Sequence, residues 1–597
     1  MLFKTSLRLL VALLFSTETS ASPNVVTFYI DSTAVNIGDG SFQKPYGNLT
    51  AALASLVNLE SPKEELNFVF RGGRYQILKT VVLTPQLFEG FKRVNFKAFE
   101  DEVVIISGSK KIGNWQILSG RERVVRTQIG PSKVGILFND SRFSIRAREP
   151  DQESPRTFGP YFKSTGVDFE ENGYLIKREL WDSLGIKDNS HLQLIYKSHW
   201  QHHSANYFKH KAKDSHILFL PNKTSGEISF NKEKSFYKNS YFYIENAYEF
   251  LDSEGEWFYD HNSGYLYYKL LSTDSPNDFA SEVPQLDTIF AVMGDGVLKF
   301  PDISFIGLTF EGSGWNDLID SGGVFTQFSQ YYSRNQANNG YSPPGYFFIK
   351  GANNLVFRNN TFRKIGANAI KIHSNTDHLK IIGNEFSEIG ANAIEVDSIS
   401  ISNPSPDIQS SGIVISGNVI ARTGRLVSNG GAVLLHYVSN VIVENNTICD
   451  LPYSGIQIGN QPKGYSNTGT VGNIIRKNHI FNVMQLHDDG AAIYTLGGNQ
   501  AGTIIEKNYI HDIERSKWAG NWYVDAIYLD NFTQFIKVKD NVIQNSNIGG
   551  ERNNSKNNIF VNNGRDIKKA QVVIDNAGAP AELLENSHIC ELSNGPD

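Results

Sequence analysis

The sequence is poor in cysteine, and this scarcity excludes several classes of protein. Its only cysteines are Cys449 and Cys590, which are too few for a disulfide scaffold. No Cys-x-x-Cys pair is present to hold zinc or to perform thiol chemistry. We therefore expect core burial to carry the stability of the fold.

An excess of positive charge is also missing. Lys and Arg together number 56 and Asp and Glu 62, for a formal net charge of −6, so the chain has no broad basic field for nucleic acid or an anionic membrane. The sequence contains no glycine-rich phosphate loop, nucleophile elbow or His-Glu-x-x-His motif. These absences argue against a nucleic-acid-binding protein, a P-loop enzyme, a serine hydrolase of that type and a zinc peptidase.

Long apolar runs are absent after the N-terminus. Lys4 and Arg8 precede a short apolar run at 9–15, and a stretch of small polar residues follows, with a suitable cleavage position after Ala21. The apolar run is shorter than the ~20 residues needed to span a bilayer. We predict a signal peptide over residues 1–22, a secreted, extracellular or periplasmic location, and no membrane span after cleavage.

Strand-forming and turn-forming residues are plentiful, and they follow a repeat. The chain has 38 Phe, 26 Tyr and 51 Gly but 3 Met, a composition that favours a strand-rich protein. Short β-branched or apolar segments followed by Asn-x-[Phe/Ile] occur seven times, at Asn360, Asn384, Asn418, Asn446, Asn478, Asn508 and Asn541, with spacings of 24, 34, 28, 32, 30 and 33 residues. A period near thirty with no room for a helix in each unit predicts a parallel β-helix, and we interpret the asparagines as a structural ladder.

A second strand follows each Asn strand in the repeats. Its alternate aliphatic residues, such as Ile370 and Ile372, are expected to stack inward. The outward face then carries two rows, one of Lys371, Glu395, Leu434, Gln457, Tyr494 and Tyr528 and one of His373, Asp397, His436, Gly459, Leu496 and Asp530. Tyrosines beside carboxylates and histidines are unusual on a merely solvated face, so this face is the candidate cleft.

These patterns predict an all-β fold, a right-handed parallel β-helix with an inserted antiparallel β domain. The insertion is expected where hairpin-like alternating strands replace the repeats. The predicted organisation is a signal peptide at 1–22, N-terminal β-helix coils at 23–180, the inserted antiparallel domain at 181–285, the main β-helix with the active cleft at 286–565 and a C-terminal cap or tail at 566–597.

Several phrases resemble secreted right-handed β-helix proteins of glycoside hydrolase family 141 and its relatives. They are FYIDSTAVNIGDGSFQKPYGNLTAAL near the start, SRFSIRAREPD, IENAYEFLDSEGEWFYDHNSGYLYY in the expected insertion, HDDGAAIYTLG, DAIYLDN and VVIDNAGA. Asp151 stands where the family phrase has Asn. The likeness extends over nearly all of the mature chain and implies a glycosidase. We predict that it acts on an oligo- or polysaccharide of plant or algal origin and needs no cofactor, with bound Ca²⁺ left open.

Glycoside hydrolysis requires two carboxyl groups on either side of the scissile bond. Asp488, Asp489, Asp525 and Asp530 lie on two successive repeats and are the candidate catalytic residues. Alignment of the two Ile-Tyr pairs places Asp525 about two positions along from Asp489, and Asp530 about seven, or ~23 Å along a straight strand. Register therefore favours Asp489 with Asp525, whereas the resemblance implies Asp489 with Asp530, and we prefer the second pair.

Other side chains are candidates for substrate binding. Glu395 lies too many coils from Asp530 to share a scissile bond with it, but it could contact a neighbouring sugar. The Asp488 and Asp489 neighbours could keep one carboxyl group protonated. The predicted substrate-binding residues are Tyr494, Tyr528, His436, His487, Glu395, Trp518 and Trp522.

Two other functions stay open at this point. A polysaccharide lyase would need a basic side chain near a uronate, for which Lys371, Arg422 and Arg425 are available, and the aspartate cluster could instead hold Ca²⁺. A non-catalytic carbohydrate-binding or adhesive solenoid is the other alternative. The sugar, the linkage, exo or endo action, the stereochemical course and the oligomeric state do not follow from the sequence.

Overall fold

The computed structural model describes residues 24–590 except 35–37, 60–63, 141, 154–156, 223–239, 277, 317, 319–321, 326, 330, 333–342, 398–407 and 460–467. The expected signal peptide, residues 1–22, lies outside the described residues. Within the described part, three long parallel sheets form the predicted β-helix, and mostly antiparallel sheets are inserted into it. The all-β parallel solenoid with an antiparallel insertion is therefore confirmed.

Each coil contributes one strand to each of three sheets, which we number first, second and third. The first sheet contains Val25–Ile30, Glu65–Phe70, Arg93–Ala98, Asp302–Ile306, Leu355–Arg358, Lys380–Ile382, Val414–Ser416, Ile442–Glu444, Ile474–Arg476, Ile504–Glu506, Lys537–Lys539 and Ile559–Val561. The second contains Gly73–Gln76, Val104–Ser107, Thr309–Ser313, Thr361–Ile365, Glu385–Ile389, Val419–Ala421, Thr447–Cys449, His479–Phe481, Tyr509–Ile513 and Val542–Ser546. The third contains Val81–Leu83, Phe290–Met293, Gly345–Lys350, Asn368–Ile372, Ile394–Asp397, Val433–His436, Ile456–Ile458, Gly490–Leu496, Val524–Asp530 and Gly549–Glu551.

Inward-facing side chains of successive coils stack along the helix axis and form the core. Phe96, Phe305 and Phe357 illustrate the arrangement, since the ring centroids of Phe96 and Phe305 are 4.9 Å apart and those of Phe305 and Phe357 are 5.1 Å apart. These separations match the spacing of neighbouring strands in a sheet. The predicted inward stack of Ile370 and Ile372 is fully buried.

The repeated asparagines form a hydrogen-bonded ladder along the bend between the first and second sheets. The Asn446 amide nitrogen donates to the Asn478 carbonyl oxygen at 2.9 Å and to the backbone oxygen of Ile415 at 3.0 Å. The same bond from one rung to the next runs from Asn360 to Asn541 and on to Asn563. Because these asparagines also satisfy backbone groups inside a bend, their role is structural.

The inserted sheets begin earlier in the chain than the expected 181–285, because mostly antiparallel strands run from Ser109 to Pro284. Their strands are Ser109–Ile112, Gln116–Ile117, Val124–Gln128, Phe138–Asn139, Arg142–Phe143, Ile145–Arg146, Arg148–Glu149, Phe162–Lys163, Val167–Asp168, Gly173–Lys177, Gln193–Ser198, Gln201–Lys213, His216–Pro221, Tyr241–Glu245, Glu256–Asp260, Tyr265–Lys269 and Ser281–Pro284. Short strands at Gly323–Phe325 and Tyr331–Tyr332 join one of these sheets, and Ser410–Ser411 pairs with Val438–Ser439.

The Glu-Trp phrase of the insertion has a structural explanation. The Glu256 carboxylate accepts the backbone N–H groups of Arg148 at 3.1 Å, Asp252 at 3.2 Å and Ser253 at 3.1 Å. Burial raises the pKa of Glu256 to about 9. This residue therefore closes a turn and ties it to the neighbouring strand.

The described residues contain few helices. They are the α-helices Leu49–Ala54, Arg178–Ser183, Ala570–Asp575 and Ala581–Ser587 and the 3₁₀ turns Ser55–Asn58, Pro85–Phe88, Tyr248–Phe250 and Gln327–Ser329. None of the helices in the described part is long and apolar enough to cross a bilayer.

The helix Ala581–Ser587 and the residues that follow it up to Cys590 pack on the second sheet, where Cys449 and Cys590 form a disulfide. Core burial is thus supplemented by one covalent cross-link, which the scarcity of cysteine did not lead us to expect.

Candidate active site

The predicted outward rows of the third sheet are in the expected register. Gln457 pairs with Tyr494, and Tyr494 pairs with Tyr528 on the next coil. The face points away from the solenoid core, but it is covered: Tyr494 and Tyr528 are fully buried, and the Gln327 amide donates to the Tyr494 hydroxyl at 3.2 Å. The candidate site is therefore a group of buried polar side chains on this covered face.

Asp489 and Asp530, hereafter the carboxylate pair, meet at the two tyrosines. The Tyr528 hydroxyl donates to Asp489 Oδ1 at 3.1 Å, and the Tyr494 hydroxyl donates to Asp530 Oδ2 at 2.5 Å. The Asn553 amide joins the two halves, because it donates to the Tyr528 oxygen at 3.2 Å and to Asp530 Oδ1 at 2.7 Å. The path from Asp489 through Tyr528 and Asn553 to Asp530 consists of three hydrogen bonds. It limits the distance between Asp489 Oδ1 and Asp530 Oδ1 to roughly 9 Å.

This upper limit is compatible with the span of about 5–9.5 Å used by retaining and inverting glycosidases together. The straight-strand estimate of ~23 Å was itself an upper limit. Asp489 precedes the strand Gly490–Leu496 in a left-handed conformation, with φ of 56°, and its side chain reaches Tyr528. The site brings Asp489 and Asp530 together as the resemblance implied.

The two members of the carboxylate pair have different surroundings. Burial, and next to it the charge of Asp530, raises the pKa of Asp489 well above its ordinary value. Asp530 accepts hydrogen bonds from Tyr494, Asn553 and, at 3.3 Å, from the Asn531 amide. Three side-chain donors thus surround the Asp530 carboxyl group, whereas the raised pKa of Asp489 favours its protonated form.

Asp488 faces away from the pair. Its carboxylate lies 3.0 and 3.1 Å from His199 Nδ1 and accepts the backbone N–H of Trp522 at 2.7 Å. Burial by itself would raise the pKa of Asp488, but the bond and charge of His199 outweigh it and hold the pKa below its ordinary value. Asp488 thus connects His199 to the loop that contains Trp522, and its side chain does not face Asp489.

Asp525 occupies the position that register predicted, opposite Ala491 and so two positions along from Asp489. Its carboxylate lies 3.4 Å from Arg552 Nη2. Burial raises the pKa of Asp525, and Arg552 opposes the shift. Asp525 has a cationic partner of its own, Arg552, and not a member of the carboxylate pair.

The predicted histidines and Glu395 are buried in hydrogen-bonded positions. His487 contacts the backbone oxygen of His199 through Nδ1 at 2.5 Å and Ser428 Oγ through Nε2 at 2.9 Å. The Gln457 amide donates to His436 at 3.2 Å. Glu395 is fully buried, accepts from the Asn368 amide at 2.5 Å and lies three coils from Tyr494, so its contacts are with amides of the coil bends and not with the candidate site.

The two tryptophans of the loop before Asp530 contact the inserted sheets. The Trp518 ring packs edge-on against Tyr161, with centroids 5.2 Å apart. The Trp522 ring stacks on His199 at 4.2 Å and on Trp200 at 5.2 Å. Both indoles are partly exposed, and Trp522 lies next to Asp488.

Sequence reasoning missed the docking hairpin, formed by the strands Gln193–Ser198 and Gln201–Lys213 with His199 and Trp200 at the turn. His199 binds Asp488, and the backbone oxygen of Trp200 accepts the Asn429 amide at 2.9 Å. The signal was present as a run of histidine and tryptophan, SHWQHHS, at an expected hairpin turn. Asn553 was also missed, since it stands in an asparagine-rich segment between Gly549–Glu551 and Ile559–Val561 that has no distinguishing pattern.

A cluster of carboxylates suited to a cation lies elsewhere. Among the described residues, Glu149, Asp151 and Asp252 place one oxygen each within 4.8 Å of the others. This cluster belongs to the inserted sheets and not to the aspartates of residues 488–530. The carboxylate pair instead contacts Tyr494, Tyr528 and Asn553.

Comparison with known proteins supports the fold. No protein-family model and no curated protein sequence matches the chain. Among solved structures, a protein described as a glycoside hydrolase superposes with a TM-score of 0.82 at 21% identity, over 94% of this chain and 100% of that chain. A structure of XylC with xylose gives 0.47 at 14% identity over 88% and 70%, and a GH136 lacto-N-biosidase from Eubacterium ramulus gives 0.38 at 9% identity over 90% and 67%.

Proposed function

We propose that this protein is a glycoside hydrolase that cleaves an oligo- or polysaccharide with Asp489 as general acid and Asp530 as the nucleophile or general base. The observation that carries the proposal is the pairing of a buried carboxyl group whose pKa is raised with a second carboxyl group surrounded by three donors. This division of roles is what glycoside hydrolysis requires. The similarity of the whole chain to a structure named as a glycoside hydrolase, and the motif resemblance to family 141, agree with it.

In this mechanism the acid protonates the departing glycosidic oxygen while the other carboxylate stabilises or attacks the anomeric carbon. Tyr528 donates to Asp489 and Tyr494 to Asp530, so the two phenols hold the carboxyl groups in position. The Asn553 amide connects the two halves of the site, because it donates to the Tyr528 hydroxyl and to Asp530. The Trp522 and Tyr523 rings are at least partly exposed and are suited to stacking on sugar rings.

The lyase alternative has weaker support. Lys371 donates to the backbone oxygen of Pro343 at 3.1 Å, and Arg422 and Arg425 lie 3.0 and 3.6 Å from Glu388. The candidate bases are therefore engaged away from the carboxylate pair. An adhesive solenoid would not need a buried carboxyl group of raised pKa beside a second one.

The test is activity of the purified mature chain on a set of plant and algal polysaccharides, with release of reducing ends and ultraviolet absorbance of unsaturated uronates measured in parallel. We expect reducing ends without absorbance, and a loss of about 10²–10⁴-fold in kcat for Asp489→Asn and for Asp530→Asn. Asp525→Asn is the matched control, since it changes a buried aspartate on the same strand as Asp530, and it should retain most of the activity.

Three outcomes would contradict the proposal. New absorbance would identify a lyase, and absence of turnover on every glycan despite a folded chain would favour a binding solenoid. Loss of activity in Asp525→Asn but not in Asp530→Asn would move the catalytic pair to Asp489 and Asp525.

We also propose that the protein is exported and acts outside the cytoplasm. The N-terminal residues have the composition of a signal peptide. The Cys449–Cys590 disulfide supports the proposal, because disulfides persist in oxidising compartments. Detection of the mature chain, cleaved after Ala21, in the extracellular or periplasmic fraction would test it.

A further inference from the structure

A narrow cavity lies between the inserted sheets and the solenoid. Its volume is about 60 Å³, and its polar lining includes Arg148, Lys197, Arg425, Tyr161 and Tyr243. A neighbouring cavity of about 100 Å³ shares Arg148 and Arg425 with it. Ligand sites are common at such junctions between structural units.

The charge of the smaller cavity is of one sign. Three cationic side chains line it, from Arg148, Lys197 and Arg425, and no Asp or Glu is among its described lining residues. The Arg148 guanidinium stacks 3.5 Å from the Tyr243 ring centroid and donates to the backbone oxygens of Pro150 and Pro160. Arg425 has a carboxylate partner, Glu388, at 3.6 Å. Arg148 is thus held by two backbone carbonyls and the Tyr243 ring, and Arg425 by the Glu388 carboxylate.

Lys197 differs from both arginines. Its side chain belongs to the docking hairpin and is 3% exposed, and its ammonium group has no hydrogen-bond partner. The Tyr241 ring, 5.5 Å away, provides a weak cation–π contact. Burial lowers the pKa of Lys197 to about 8, although the charge of Asp488 opposes the shift. A buried ammonium without an acceptor is costly, and an anionic group in the cavity would remove that cost.

Two residues that line the cavity lie next to the chain segment that leads to Asp489. Ser428 bonds His487 at 2.9 Å, and Leu486 precedes His487 in the chain. His487 and Asp488 lead directly to Asp489. A group held in the cavity would therefore contact residues of the segment that carries the proposed general acid.

We propose that Lys197, Arg148 and Arg425 form a subsite for an anionic substituent of the glycan, either the carboxylate of a uronate or a sulfate ester. The inference rests on the proposed glycosidase function and names its substrate class. Planar guanidinium groups and a compact ammonium are the side chains that proteins use to bind such oxyanions. The docking hairpin then has a recognition role in addition to its contacts with Asp488 and Trp522.

The test is isothermal titration of the full chain carrying Asp489→Asn, so that ligands are not consumed. The ligands are uronate-containing oligosaccharides, sulfated oligosaccharides, and their carboxyl-reduced and desulfated counterparts. We expect an anionic ligand to bind roughly tenfold or more tightly than its neutral counterpart, as expected for one charge-assisted contact. The uronate and sulfate series separate the two sources of negative charge.

Variants at Lys197 connect the preference to this residue. Lys197→Met should remove the preference without weakening the neutral ligand, and Lys197→Arg should restore part of it. Lys187→Met is the matched control, because it removes an exposed lysine of the same inserted region. If Lys197→Met does not fold, Lys197→Gln, which keeps a polar group at the buried position, takes its place with the same expected loss of preference.

The outcomes distinguish this inference from the proposed function. Equal affinity for anionic and neutral ligands, or an anionic preference that survives in Lys197→Met, would overturn the subsite whether or not the wild-type chain hydrolyses a glycan. Anionic preference lost in Lys197→Met would support the subsite, even if the wild-type chain releases no reducing ends and the hydrolase proposal fails.

Discussion

Asp489 shows how a backbone conformation decides which carboxyl groups meet. Register alone placed Asp525 two positions from Asp489, and this position is found in the structure. However, the Asp489 side chain contacts Tyr528 and not Asp525, because the residue stands at a bend with positive φ. Strand register could be predicted from the Ile-Tyr pairs, whereas the direction of a side chain at a bend could not.

The raised pKa of Asp489 predicts a pH-dependent contribution to stability. Because the folded state retains a proton that the unfolded chain releases near pH 4, stability should fall as pH rises toward the pKa of folded Asp489. The side chain at position 489 cannot ionise in the variant Asp489→Asn, so this loss is absent there. The unfolding free energy of the variant minus that of the wild type should therefore rise with pH by up to about 1.4 kcal/mol per pH unit in this interval.

Urea unfolding of both proteins at a series of pH values from about 5 to 7 measures this difference. Asp101→Asn, which makes the same chemical change at an exposed carboxylate, is the control. Parallel stability profiles for wild type and Asp489→Asn would show that Asp489 ionises normally and would remove it as the acid.

At the scale of single elements, the repeat predicted the strands well and the insertion less well. Every coil strand has a short apolar alternation, so its two faces follow from the sequence. The inserted sheets have no repeat to set their limits, and strands as short as Arg148–Glu149 precede the expected boundary at 181. The docking hairpin reaches the active face through tertiary contacts such as His199 with Asp488, which no local pattern encodes.

The asparagine ladder allows a prediction for one such bend. Asn446 is fully buried, donates to Asn478 and Ile415, and accepts from the Asn418 backbone and side chain. Asn446→Ala leaves these buried groups unpaired, so it should lower the unfolding free energy by about 2–4 kcal/mol. Chemical denaturation measures the change.

Asn262→Ala, at an exposed turn of the inserted sheets, should cost less than about 0.5 kcal/mol. A similarly small effect of Asn446→Ala would mean that water or a neighbouring group replaces the ladder bonds. In that case the regular asparagines would reflect the turn conformation alone.

For the molecule as a whole, the solenoid, the inserted sheets and the terminal cap each complete part of the same structure. The solenoid supplies the carboxylate pair, the docking hairpin supplies His199 beside Asp488, and the cap covers the outside of the second sheet through residues such as Ile589. The sequence predicted the solenoid as a whole because the repeat is long. The sequence did not predict that the cap is cross-linked to the second sheet, since no local pattern brings together two cysteines 141 residues apart.

The disulfide leads to a prediction about global stability. Cys449 is fully buried on the second sheet, and its bond to Cys590 closes a loop of 141 residues that contains both members of the carboxylate pair. A cross-link over so long a loop restricts the unfolded chain, so Cys449→Ala/Cys590→Ser should lower the unfolding free energy by about 3–5 kcal/mol. Reductant should destabilise the wild type similarly and leave the double variant unchanged. Equal denaturation midpoints for wild type and variant would instead show that the cap detaches before the coils unfold, and that the solenoid is held by its stacked core alone.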